Sequence, residues 1–393
     1  MKTKTILQVL GAGVLVVGAL FAVTPTYRTT TLSVIGHQND GMVIENIVIH
    51  DTGGDGIVLR DVDNVTIRNC EIYNVSEGIA FSSLGNTKNV TIENCNIHDT
   101  GRNGIIVKQH PGFNQTGVVI RNNVITNTGT SSTSGAYHGI YMQATDNVIM
   151  GNVIDTSTGN GVSIRSSGYV GSNKISNTAK SCVRYFSDNV TGATKKLQIE
   201  NNLCVDPAVG YPAISILWGG NAAVVNDFAI KFNTIIGGSN SVQVQSAQFA
   251  AAQIAVYGNL FTSALATSYI DYNAGNMLNT APFNDDYSIP AGHPAIGYAA
   301  GVRDWPAVDI DGRTRRTIDA GAFAYQGAAP GTPTSVPSDT PTATRTLLPA
   351  TPTRTSTPVA TPTHTQTAIP TIAPAFDSRC DANYLPFVCI YKP

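Results

Sequence analysis

Apolar and polar residues alternate along the first two-thirds of the chain in a short phrase that returns many times. The phrase reads Val-x-Ile-x-Asn-x-x-Ile, and clear copies begin at Val65, Val90 and Val118. A further copy runs from Leu197 to Cys204 with Cys in the last apolar position, and looser copies end at Ile49, Ile154, Ile175, Ile235 and Phe261. Successive copies end 21–31 residues apart. An apolar phrase with such a period indicates a solenoid, in which each repeat buries its apolar face against its neighbours.

Each copy predicts a β-strand, because Val and Ile alternate with polar residues at a period of two. A second short strand that opens with Gly-Ile follows several residues later, as at Gly56, Gly78 and Gly104. No segment between the strands has the length or the periodicity of a helix. The pattern therefore predicts an all-β, single-stranded parallel β-helix of about nine coils over residues 30–275.

Asn recurs at the corner after each first strand. Asn tolerates left-handed backbone at tight corners, and coils that stack at about 4.8 Å would place one Asn amide over the next. The predicted ladder runs through Asn46, Asn69, Asn94, Asn122, Asn152, Asn173, Asn201 or Asn202, Asn233 and Asn259. Two neighbouring acceptor patterns, at Asn64 and Asn89, leave N-glycosylation open as an alternative role for Asn.

The repeated Asn-x-x-Ile and Gly-Ile phrases resemble those of the right-handed parallel β-helix proteins of the pectate-lyase-like superfamily. The resemblance covers residues 30–275 and implies right-handed coils. It leaves the activity open, because that superfamily holds lyases, hydrolases, epimerases and inert adhesins.

The predicted cap at residues 276–327 carries a second recognisable pattern over about 283–326, which includes His293-Pro294, Asp309 to Arg313 and Asp319 to Phe323. It resembles the C-terminal cap of choice-of-anchor surface proteins, so we expect a cap that closes the helix. Those proteins usually have Ser at the position of His293, so this chain departs from their pattern.

The two ends of the chain predict export and attachment to a surface. Residues 1–24 hold Lys2, Lys4 and an apolar run, which fits a cleaved signal peptide or a retained membrane anchor. Residues 328–375 are dominated by Pro and Thr and predict a disordered stalk, followed by a short tail at 376–393. We therefore expect a secreted or extracellular, cell-surface associated monomer, held to the cell envelope by the N-terminal anchor or the stalk.

Charge and cysteine content narrow the partners and the compartment. A net charge of −2 with 13% charged residues argues against nucleic acid, which calls for a basic face. Six cysteines fit an oxidising compartment, and Cys380 with Cys389 is the predicted disulfide. Cys70 and Cys95 fall in adjacent coils and fit either a disulfide or a pair of buried thiols. The spacing of Cys182 and Cys204 assigns them no partner.

Stacking the Gly-Ile strands in register brings polar side chains from the central coils onto one face. The candidates there are Lys108, His138, Tyr141, Arg165 and Arg184. Arginine binds carboxylates in a bidentate way, so Arg165 and Arg184 are candidate ligands for a uronate polymer. Lys108, His138 or Tyr141 would be the base that removes a proton in β-elimination. Trp218, one coil further on, would stack on a sugar ring.

These residues predict a protein that binds acidic polysaccharide and cleaves it as a lyase. Calcium is the usual partner of lyases on this fold, and Asp55 with Glu77 in one column is the candidate site for it. The competing hypothesis is a non-catalytic surface adhesin or structural rod, because every β-helix needs a polar outer face.

Overall fold

The computed structural model describes residues 24–132, 135–188, 194–220, 227–249, 254–302 and 304–327. Within these ranges, short parallel strands form three sheets, A, B and C, with eleven, nine and ten strands. The chain passes through sheet A, then B, then C, and returns to sheet A one coil further on. The molecule is a right-handed parallel β-helix, and the predicted all-β fold is confirmed.

The strands are two to five residues long. Sheet A contains Thr26–Arg28, Ile47–His50, Glu71–Val75, Asn96–Thr100, Val124–Thr128, Val153–Ser157, Lys174–Thr178, Leu203–Val205, Thr234–Ile236, Leu260–Phe261 and Met277–Leu278. Sheet B contains Leu32–Ile35, Ile57–Arg60, Ile79–Phe81, Ile105–Val107, Ile140–Met142, Val162–Ile164, Val183–Phe186, Ile214–Leu217 and Val242–Val244. Sheet C contains Val43–Glu45, Thr66–Arg68, Thr91–Glu93, Val119–Arg121, Asn147–Met150, Gly168–Gly171, Lys196–Glu200, Asp227–Lys231, Ile254–Tyr257 and Tyr272–Ala274.

Helical structure in the described residues is limited to two single 3-10 turns, His37–Asn39 and Ala247–Phe249. Across the same ranges, no helix is long and apolar enough to cross a membrane. The predicted signal peptide or anchor at 1–24 lies almost entirely outside the described residues, and the stalk and tail at 328–393 lie wholly outside them.

The core is built from columns of identical positions in successive coils. Ile67 pairs with Ile92, Ile92 with Ile120 and Ile120 with Ile149, and all four side chains are fully buried. This confirms the predicted internal column. Because each coil repeats the same phrase, every coil adds the same apolar side chains to one continuous core.

The predicted asparagine ladder is confirmed from Asn152 onward and was wrong by one residue in the earlier coils, because two columns lie side by side. Asn46, Asn69, Asn94 and Asn122 have φ of 53–56° and form the left-handed corner. The buried ladder is the next residue along the chain and consists of Asn123, Asn152, Asn173, Asn202, Asn233, Asn259 and Asn276. Each ladder amide before Asn276, the last rung, donates to the carboxamide oxygen of the next coil at 2.8–3.0 Å. Each also donates to a backbone carbonyl of the previous coil, as Asn173 does to Ile149 at 3.0 Å.

Cysteines occupy this ladder column in the early coils. Cys70 and Cys95 are buried free thiols, and the backbone N–H of Cys95 donates to the side-chain oxygen of Asn123 at 2.9 Å. The structure therefore favours the buried thiol pair over a disulfide between them.

A disulfide joins Cys182 and Cys204, for which the sequence assigned no partner. Cys182 stands in the column of Gly residues that opens the sheet B strands. At Gly56, Gly78, Gly104, Gly139 and Gly161, an added Cβ would lie within 2.6 Å of an Ile side chain of the next coil. In the coil of Cys182, Cys204 occupies the position of that Ile. The Gly column and the Ile column are therefore interrupted at the same coil. The predicted Cys380–Cys389 pair lies outside the described residues.

Residues 279–327 pack against the outside of the last coils. Ile310 and Phe323 contact Leu203 and Val205 on sheet A. The buried guanidinium of Arg315 donates to the side-chain oxygen of Asn201 at 2.9 Å. The β-helix and residues 279–327 thus form one compact unit. The likeness to choice-of-anchor caps stays a prediction.

Replacing one rung should show how much the ladder contributes to stability. Asn173→Ala removes the acceptor of the Asn152 backbone and side-chain N–H groups and the donor to Ile149. A buried polar group left unsatisfied costs about 1–3 kcal/mol, so we expect a loss of about 3 kcal/mol or more in the free energy of unfolding. Urea unfolding followed by circular dichroism measures it.

The matched control is Asn96→Ala, which removes an exposed amide on sheet A. It should change the free energy of unfolding by less than about 0.5 kcal/mol. Equal losses in the two variants would contradict the role of the ladder.

Candidate functional site

The central coils of sheet B carry a cavity on their outer side. Its volume is about 210 Å³, and it is lined by Gly135, Ala136, His138, Asn160, Arg165, Lys180, Arg184 and Phe186. We call it the sheet B cavity. Strand register explains the grouping, because Tyr141, Ser163 and Arg184 are paired neighbours in three successive coils. Arg165 directly follows the middle of these strands, Val162–Ile164.

His138 belongs to a second ladder, at the corner that precedes sheet B. In this ladder each side chain accepts the backbone N–H of the corresponding residue one coil further on, at 2.7–3.2 Å. Its accepting members are Asp55, Glu77, Asn103, His138 and Asn160, and it ends at Ser181, whose backbone N–H donates to Asn160. Nδ1 of His138 accepts from the backbone of Asn160 at 3.0 Å. A neutral imidazole with an acceptor at Nδ1 carries its proton on Nε2, so it offers a donor rather than a basic lone pair.

Burial and nearby cations keep His138 neutral. Loss of solvation is the main reason that the pKa of its imidazole lies well below the ordinary 6.5, and the charges of Arg165, Lys180 and Arg184 add to it. The ring also stacks on Tyr141, with centroids 5.9 Å apart and planes 6° from parallel. Burial raises the pKa of Tyr141, which disfavours the phenolate that a base would need.

The Arg165 side chain contacts two aromatic rings and donates to two hydrogen-bond acceptors. Its guanidinium lies over the rings of Tyr141 and Phe186, 4.9 and 4.8 Å from their centroids. Nη1 donates to Oδ2 of Asp188 at 2.6 Å, and Nε donates to the hydroxyl of Ser163 at 3.3 Å. The Arg165 side chain is only 13% exposed. These contacts fix Arg165 in place and neutralise much of its charge.

Arg184 and Lys180 have no such carboxylate. Arg184 lies 5.9 Å from the ring centroid of Tyr211, and its Nε is buried without a hydrogen-bond partner. Neither Arg184 nor Lys180 forms an ion pair with a carboxylate of the described residues. Burial lowers the pKa of both side chains, and the charge of Arg184 lowers that of Lys180 further. The sheet B cavity therefore holds a guanidinium without an anionic partner beside a lysine that loses its proton more easily than usual.

Lys108 and Trp218 lie apart from this group. Lys108 is exposed after the strand Ile105–Val107, one coil before Tyr141, and does not line the cavity. Trp218 packs edge-on against Phe249 at 6.0 Å and against the core. The reason is parity: Leu217 points outward, so the next residue along the chain turns inward. Its predicted stacking on a sugar ring stays a prediction.

Asp55 and Glu77 fit a calcium ion poorly, although they share a column as predicted. Oδ1 of Asp55 accepts the backbone N–H of Glu77 at 3.1 Å. Glu77 accepts from the backbone and side chain of Asn103 and pairs with Arg102 at 3.3 Å. Burial raises the pKa of Glu77, so its charge is disfavoured. These carboxylate oxygens already bind N–H donors, so we assign calcium no role in the proposed chemistry.

Lys180, Asn160, Phe186 and Asp188 belong to the site, and the sequence did not single them out as site residues. Asn160 shares a column with His138, and Phe186 shares one with Arg165. Strand register could therefore have identified both as site residues. Lys180 precedes the ladder residue Ser181 by one position, in a corner where the period of two does not apply. Asp188 lies two residues beyond the strand Val183–Phe186, where no periodic signal remains.

Comparisons with known proteins agree with the fold. Residues 33–204 match the family described as right handed beta helix region. No curated protein matches the chain. Among solved structures, pectate lyase Pel9A is similar, with 12% identity over 78% of this chain and 85% of that chain and a TM-score of 0.48. The A-module of mannuronan C-5 epimerase AlgE6 from Azotobacter vinelandii is 18% identical over 66% of this chain and 80% of its own, with a TM-score of 0.42.

The buried state of His138 predicts a specific pH dependence of stability. Below the ordinary imidazole pKa of 6.5, the unfolded chain takes up a proton that the folded His138 refuses, so this residue lowers stability as pH falls. His138→Asn keeps a ladder acceptor, as Asn103 and Asn160 do, and should remove that part of the loss. Urea unfolding of both proteins at pH 8 and pH 5 measures the difference.

We expect the variant to lose less stability than the wild type between these two pH values. The comparison subtracts the titration of the carboxylates, which is the same in both proteins. Identical losses would mean that His138 is protonated in the folded state.

Proposed function

We propose that the outer face of sheet B binds an acidic polysaccharide at Arg184 and cleaves it by β-elimination, with Lys180 as the base. The observation that carries this is the imbalance of charge in the sheet B cavity. Arg165, Lys180 and Arg184 surround it, and Asp188 is the one carboxylate of the described residues that pairs with any of them. A partly buried cation without a partner favours an anionic ligand.

A uronate carboxylate suits Arg184. The guanidinium presents a planar fork of N–H donors that matches a carboxylate, and its Nε is buried without a partner. Charge-assisted hydrogen bonds are worth about 1.5–3 kcal/mol each. Binding would therefore satisfy a polar group that the free protein leaves unpaired.

Binding at Arg184 would also prepare the sugar for elimination. Once its carboxylate is neutralised, the uronate is more acidic at C5. The base takes the C5 proton, the electron pair forms a double bond between C4 and C5, and the C4–O bond breaks. The leaving oxygen takes a proton from water. The product is a conjugated, unsaturated uronate that absorbs ultraviolet light.

Lys180 is a better base than the three residues that the sequence suggested. Its pKa is lowered by burial and by Arg184, so a larger fraction is neutral near pH 7. Lys108 lies one coil before Tyr141 and is exposed. His138 offers an N–H, and Tyr141 has a raised pKa. Gly135 makes room for Lys180, because an added Cβ there would lie 2.5 Å from the lysine Cε.

A non-catalytic adhesin is the second candidate, favoured by the small volume of the cavity and by the commitment of Arg165 to Asp188. It would use the same contact at Arg184 without proton transfer. We further propose that the protein acts outside the cytoplasm as a surface-attached monomer. The Cys182–Cys204 disulfide supports this, because disulfides persist in oxidising compartments.

Two variants should separate binding from chemistry. Arg184→Ala removes the carboxylate contact and should weaken the binding of oligouronates by about tenfold to a hundredfold. Lys180→Met keeps the length of the side chain and should lower turnover by about 10²–10⁴-fold, with a much smaller change in binding. Calorimetry measures binding, and absorbance of the unsaturated product measures turnover on a panel of uronate polymers.

Arg121→Ala and Lys196→Met are the matched controls, since both residues lie on sheet C. They should leave binding and turnover unchanged. Tight binding without any product in the wild type would favour the adhesin, and binding that survives Arg184→Ala would refute both candidates at this site.

A further inference from the structure

We propose that Asp188 is a specificity residue that occupies Arg165 as a built-in carboxylate. The site then accepts one uronate carboxylate, at Arg184, and a sugar without a carboxylate next to it, at Arg165. The substrate class is a polysaccharide in which a uronate alternates with an uncharged sugar. This inference rests on the proposed function, because it assumes that Arg184 binds a uronate.

Two of the nitrogens of Arg165 already donate hydrogen bonds, and its guanidinium is near two aromatic rings. Nη1 bonds Asp188 at 2.6 Å, Nε bonds Ser163 at 3.3 Å, and the rings of Tyr141 and Phe186 cover the guanidinium. An incoming carboxylate would have to compete with Asp188 for the charge of the same guanidinium. A sugar that carries only hydroxyl or amide groups has no such competition.

Asp188 also repels a second carboxylate directly. Its Oδ1 is buried and without a hydrogen-bond partner, so its charge is incompletely neutralised even with Arg165 bound. Like charges in a partly buried site oppose each other strongly. Arg184 has no such partner among the described residues, which supply no ion pair to it.

The two arginines belong to adjacent coils. Val162–Ile164 pairs with Val183–Phe186, and Arg165 directly follows the first of these strands while Arg184 lies within the second. Arg165 is in register with Phe186, two residues beyond Arg184, so the two backbone positions lie one coil and two residues apart, a separation of about 8 Å. Consecutive sugars of a bound chain can therefore face the two arginines separately, and the two positions read consecutive units of the polymer.

Defined tetrasaccharides test this without the bias of long polyanions. The probes are a hyaluronan tetrasaccharide, which alternates glucuronate with an uncharged sugar, and tetragalacturonate, which has a carboxylate on every unit. We expect wild-type protein to bind the alternating probe about tenfold more tightly by calorimetry. Asp188→Asn should raise the affinity for tetragalacturonate about tenfold and that for the alternating probe less than about threefold.

Asp227→Asn is the control, because it removes a carboxylate that pairs with Lys196 on sheet C. It should leave the preference unchanged. Equal or tighter wild-type binding of tetragalacturonate overturns the inference and leaves the proposed function standing, and that comparison needs no variant to fold. If neither probe binds wild type or Asp188→Asn, the proposed function fails together with this inference.

Discussion

The buried asparagine ladder fixes the register of one coil on the next, and the rest of the structure depends on that register. Each rung uses its amide and its oxygen to bond the coils on both sides, as Asn173 does with Asn152 and Asn202. A slip of one residue would break every rung and turn every apolar side chain outward. The ladder therefore keeps equivalent residues of successive coils aligned.

Because the coils stack in register, residues that are far apart in the sequence come together on one surface. His138, Arg165 and Arg184 are 19 or more residues apart along the chain, yet they line one cavity. None of them needs a specialised loop to reach it. The corner ladder keeps His138 neutral and buried, and the rings of Tyr141 and Phe186 hold Arg165. The site carries an excess of positive charge that the carboxylates of the described residues do not balance.

The apolar phrase predicted the sheets and the core column through Ile67, Ile92 and Ile120, because the period of two decides which side chains face inward. It placed the ladder one residue early in the first coils, because the left-handed corner there is Asn while the rung position holds Cys70 or Cys95. Trp218 packs against the core because the inward parity continues past the end of the strand.

Lys180 and Asp188 were missed for a different reason. Both lie in corners, where side-chain direction is set by local turn geometry and by contacts with neighbouring coils. The Cys182–Cys204 bond did leave a trace in the sequence, since the Gly column and the Ile column are interrupted at the same level. Reading two columns together, rather than each by itself, recovers that pair.

A crystal structure of the protein with a bound uronate-containing tetrasaccharide tests the central claim most directly. The account predicts one sugar carboxylate within about 3 Å of the Arg184 guanidinium, with the C5 atom of that sugar facing Lys180 and the Arg165–Asp188 pair intact. An oligosaccharide bound on sheet A or sheet C, with the sheet B cavity empty, would contradict it.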